Sequence, residues 1–106
     1  FKERIVDFFK DTKQYNVAVY CPLRGMNLLY LSGISDCRLA DDNPNLQNKF
    51  LPTFKKTVES FNELKKNPPK KILVYSRTFG DLIKKRCLET KELKNCEIKT
   101  VTDLVN

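Results

Sequence analysis

At 106 residues the chain has the size of one ordinary domain, and its 41% apolar and 31% charged residues exclude an intrinsically disordered polymer. Its longest apolar runs, Val17 to Cys21 and Leu28 to Leu31, fall far short of the roughly 18 residues a membrane-spanning helix needs. Twenty Lys and Arg against thirteen Asp and Glu leave a net charge of +7, which attracts polyanions and makes nucleic acid the first partner to consider.

The opening Phe1-Lys2-Glu3-Arg4 has neither an initiator Met nor the basic-then-apolar layout of a signal peptide, so the expectation is a single domain, residues 1–106, cut from a larger protein. Phe1, Ile5, Phe8 and Phe9 recur at helical spacing, which predicts an amphipathic helix over residues 1–11. Asn16 to Cys21 is continuously apolar rather than alternating, the pattern of a central strand covered on both faces. Pro22-Leu23-Arg24-Gly25 supplies turn chemistry, and Asn27 to Leu31 reads as the return strand of a hairpin. Ile34 to Asn45, rich in Asp, Asn and Ser, reads as a loop whose acids match no calcium-binding pattern.

Leu46, Phe50, Phe54, Val58, Phe61 and Leu64 recur every three or four positions and predict a long helix. Its regular part would begin near Leu51, because Pro52 is tolerated only in a first turn, and Asn67-Pro68-Pro69 would end it. Lys71 to Ser76 is a second buried-type strand. Arg77 to Gly80 then turns into a helix with Leu82, Ile83, Cys87 and Leu88 facing inward. Cys96 to Val101 alternates charged and apolar residues, as an edge strand does. The order α-β-β-α-β-α-β predicts an α/β fold: one three-layer domain with a mixed, mostly parallel sheet of about four strands and helices on its faces.

With no His, neither a Ser-His nor a Cys-His nucleophile pair can be built, and Gly25, Gly33 and Gly80 draw no phosphate-binding glycine loop. Glu97-Ile98-Lys99 has the E-x-K form of metal-dependent nucleases, but the strand Lys71 to Ser76 lacks the acid such a site needs. No catalytic residue, cofactor or metal is therefore expected. Four cysteines without a C-x-x-C pair read as free thiols of a reducing, cytoplasmic compartment, with disulfides as the alternative.

The remaining chemistry is basic. Arg77 follows a strand at the end where open α/β sheets bind ligands, Lys84 and Lys85 lie on the outer face of the next helix, and Lys70 and Lys71 sit at the strand's opposite end. These five residues are the candidate nucleic-acid contacts, for RNA or single strands, in a non-catalytic binding module of a larger intracellular protein. The alternatives are a structural or protein-interaction domain, or a degenerate enzyme domain. Other domains of the parent protein are expected partners.

Overall fold

The computed structural model describes residues 1–105. Its centre is a five-stranded, all-parallel sheet in the order β3-β2-β1-β4-β5. The strands are β1 (Val17–Tyr20), β2 (Arg38–Ala40), β3 (Val58–Glu59), β4 (Lys71–Val74) and β5 (Glu97–Thr100). The helices are α1 (Lys2–Phe9), α2 (Met26–Leu31), α3 (Phe61–Lys66), α4 (Gly80–Leu88) and α5 (Val101–Val105), with single 3-10 turns at Gln14–Asn16, Pro22–Gly25 and Lys91–Leu93.

Side chains alternate across the strands and divide the core in two. Val17, Val19, Leu39 and Leu73 face Ile5, Phe8 and Phe9 of α1, Leu29 of α2 and Leu104 of α5. Ala18, Tyr20, Ile72 and Val74 face Leu64 of α3 and Ile83 and Cys87 of α4. Because both faces are covered, β1 and β4 are apolar at nearly every position, as their sequence predicts, and β1 lies at the centre of the sheet. The edge placement of β5 also agrees.

Local chemistry sets the element ends. Ser60 and Glu63 close a reciprocal capping box on α3, with Glu63 N–H donating to Ser60 Oγ at 3.3 Å and Ser60 N–H to Glu63 Oε1 at 3.0 Å. Thr100 and Asp103 repeat the device where β5 runs directly into α5. Arg38 of β2 grips Glu59 of β3 through two parallel hydrogen bonds of 2.8 and 2.7 Å, which ties the short edge strand to its neighbour.

Several sequence expectations are corrected. Asn27 to Leu31 is helical, not a hairpin strand, since β2 and β4 already occupy both hydrogen-bonding edges of β1. With the hairpin gone, the sheet is parallel throughout rather than mixed, and it has five strands rather than four. The expected loop from Ile34 to Asn45 contains β2, and the expected long helix is instead an irregular segment, then β3, then the short α3. Pro52 and Thr53, the latter at φ 72°, prevent a continuous helix, while Leu51, Phe54 and Val58 reach the same core from non-helical backbone. Phe50 is 67% exposed, and Leu82 and Leu88 of α4 point outward rather than into the core.

Candidate functional site

The chain builds β1, β2 and β3 outward on one side, then crosses back to place β4 against the other edge of β1. Where strand order reverses in this way, the loops leaving the two adjacent strands diverge and open a crevice at their carboxyl ends. Here the crevice lies between the turn after β1 and the segment after β4. It is a cleft of about 280 Å³ lined by Arg24, Tyr75, Ser76, Arg77 and Thr78.

Tyr75 is anchored by its N–H, which donates to Tyr20 O at 2.7 Å, and its ring presses on the backbone at Gly25. Burial raises the Tyr75 phenol above its ordinary value, so it is a neutral donor at physiological pH. Ser76 Oγ accepts the Phe79 N–H at 3.1 Å and so shapes the turn into α4. Arg24 and Arg77 are both exposed, and neither has a carboxylate partner among the described residues. A phosphate entering the cleft would meet two uncommitted guanidinium groups flanked by hydroxyls.

A second cleft, of about 440 Å³, opens on the same edge of the sheet and is lined by Cys21, Asp41, Asp42, Phe79, Leu82, Ile83 and Arg86. One wall is a fixed polar network. Arg86 donates to both carboxylate oxygens of Asp42 at 3.1 Å and to Tyr20 Oη at 2.8 Å, and Tyr20 in turn donates to Asp42. The Arg86 guanidinium also stacks 4.1 Å from the Phe61 ring centroid. Burial pushes the Asp42 carboxyl upward, but the hydrogen bonds from Tyr20 and Arg86 outweigh it and hold the group below the usual aspartate value. Burial also raises the Tyr20 phenol, and the Asp42 bond adds to it.

Of the five cations expected from sequence, Arg77 lines the switch-point cleft. Lys84 pairs with Asp103 at 2.8 Å, and Lys85 is exposed on α4. Lys71 Nζ donates to Phe8 O at 2.7 Å and lies 3.8 Å from Glu97, while Lys70 is exposed beside it at the amino end of β4. Lys70 and Lys71 are thus at the end of the strand away from Arg77, and the five do not converge. Sequence reasoning missed Arg24, because reading Pro22–Gly25 as a hairpin turn removed it from a strand-to-helix loop. It read Asp41 and Asp42 only as acids of a solvated loop, because the strand β2 that they directly follow went unread.

All four cysteines are free thiols, with Cys37 and Cys87 buried. Burial pushes Cys21 and Cys37 up to about 12 and Cys87 up to about 11, values that keep these sulfurs protonated and poorly nucleophilic. Among the described residues no group of three or more Cys, Asp or Glu side chains could hold a metal ion, and no helix is long and apolar enough to cross a membrane.

The parallel order 3-2-1-4-5, with helices on both faces, places the chain in the class of doubly wound α/β domains. No protein-family model matches the chain, and no curated protein and no solved structure shows significant similarity to it.

Proposed function

We propose that this domain is a non-catalytic binding module that takes a nucleotide phosphate, free or within a single strand, in the cleft between β1 and β4. The observation that carries the reading is the position of Arg24 and Arg77. Two guanidinium groups with no carboxylate partner among the described residues line a crevice at the topological switch point, where open parallel sheets bind their ligands. The net charge of +7 would draw such an anion in from a distance.

Nucleic acid, the partner expected from charge, fits this reading with its contacts redistributed. Arg24 joins Arg77 at the phosphate, while Lys84 and Lys71 are held in ion pairs with Asp103 and Glu97 and are less free to bind. Lys85 and Lys70 supply long-range attraction rather than contact. The four free thiols support a reducing, intracellular setting.

The test is titration of the parent protein and of the double variant Arg24→Gln, Arg77→Gln with inorganic phosphate, a nucleoside diphosphate and short RNA and DNA strands. Binding that disappears in the double variant supports the reading. Equal binding by both proteins overturns it and turns attention to protein partners at the exposed Phe79 and Leu82.

A further inference from the structure

The two clefts share both of their loops. Cys21, in the wall of the larger one, is three residues from Arg24 in the smaller, and Phe79 of the larger directly follows Thr78 of the smaller. A ligand held by its phosphate at Arg24 and Arg77 therefore has the larger cleft beside it along the carboxyl edge, toward the end of β2.

What waits there has the chemistry of a nucleoside site. Asp41, the first residue after β2, gives one carboxylate oxygen to the Asn43 N–H at 2.9 Å, and its second oxygen takes no hydrogen bond among the described residues. Asp42 is otherwise engaged, with both oxygens held by Arg86, so Asp41 is the available acceptor. A carboxylate at the end of β2, one strand spacing of about 4.8 Å from the β1 end, stands where a doubly wound sheet can accept hydrogen bonds from ribose hydroxyls. In the same cleft Phe79, the N-cap of α4, and Leu82 of its first turn lie three positions apart and are 60% and 68% exposed. Their exposed apolar side chains offer a surface for a base ring.

We infer that the larger cleft is a ribonucleoside subsite, in which Asp41 accepts from the ribose 2′- and 3′-hydroxyls and the base lies against Phe79 and Leu82. The inference rests on the phosphate reading above and adds the rest of the ligand to it. The turn Pro22–Gly25 lacks the glycine-rich sequence that lets a helix N-terminus cradle a pyrophosphate, and Arg24 supplies that charge instead.

The experiment compares ADP, 2′-deoxy-ADP, ribose 5-phosphate and inorganic phosphate by calorimetric titration against the parent, Asp41→Asn and Phe79→Ala. ADP should bind the parent about tenfold or more tightly than 2′-deoxy-ADP, since a hydroxyl-to-carboxylate hydrogen bond is lost. In Asp41→Asn that ratio should fall toward one. Phe79→Ala should weaken ADP by about fivefold or more and leave ribose 5-phosphate unchanged. If all four ligands bind the parent alike and still require Arg24 and Arg77, the ribonucleoside subsite is wrong and the phosphate cleft stands. If none binds, both fall. Melting temperatures of the two variants, at a half-buried and an exposed position, check that each remains folded.

Discussion

Gly25 lies against the ring of Tyr75 so closely that a methyl group at position 25 would sit 2.5 Å from Tyr75 Cε2. That approach brings the turn after β1 onto the segment after β4, beside the cleft that Arg24 and Arg77 line. Gly25→Ala should cost about 1 to 3 kcal/mol, the usual penalty for overpacking, and lower the melting temperature by several degrees. Adding Tyr75→Ala should recover part of the loss, so that the double variant is less destabilised than the sum of the two single ones. Strict additivity in denaturant titrations would show that the two residues do not meet.

The phosphate reading makes a quantitative claim about salt. For single strands each neutralised phosphate contributes about 0.7 to the slope of log affinity against log salt, so replacing Arg24 and Arg77 with Gln should flatten the slope by roughly 1.4 if each meets one phosphate. Replacing Lys70 and Lys85 removes the same charge from positions outside the cleft. That control should leave the slope nearly intact, and an equal flattening in both proteins would reduce the effect to net charge.

The corrected core separates two aromatic and aliphatic positions that share one apolar stripe in the sequence. Leu64 is fully buried between α3 and the sheet, so Leu64→Ala should cost about 2 to 5 kcal/mol. Phe50→Ser, at an exposed position, should change stability by less than about 0.5 kcal/mol. Comparable losses in the two variants, measured by urea unfolding, would restore the continuous helix.

Acid should destabilise the domain partly through Asp103. The hydrogen bond from Lys84, followed by that from the Thr100 backbone, holds the Asp103 carboxyl below its ordinary value. The folded carboxyl binds its proton less tightly than the unfolded one. Its contribution is therefore complete above the unfolded aspartate value of about 3.9 and is lost as the pH falls through the lower folded value. The stability difference between parent and Asp103→Asn should be largest near neutrality and shrink as the pH falls below about 3.9. A constant difference across that range would mean that Asp103 acts through shape alone.

All four thiols should react with a thiol reagent after denaturation without reductant. In the folded protein Cys37 and Cys87 should be protected, and Cys21 should react slowly near neutrality because its sulfur is held protonated. Fewer than four reactive thiols in the denatured chain would establish a disulfide.

What the sequence determined by itself is what short-range periodicity and backbone chemistry can express. Val17 to Tyr20 and Lys71 to Val74 are apolar on both faces, and a segment with two apolar faces must lie between two layers. The helical spacing in α1, the alternation in β5 and the stop at Pro68-Pro69 are likewise local, and each reappears in the fold. Tertiary structure decided the rest. Arg38–Ala40 and Val58–Glu59 are too short to carry a period of their own and become strands because β1 offers an open edge to β2 and β2 one to β3. Met26–Leu31 became a helix for the complementary reason, since no edge of β1 was left to pair with. The cleft is still less local. Arg24, Asp41 and Arg77 lie on separate segments, and only the parallel order, which gathers the carboxyl ends of β1, β2 and β4 at one edge, brings Arg24 and Arg77 together in one cleft and places Asp41 in the other cleft at that edge.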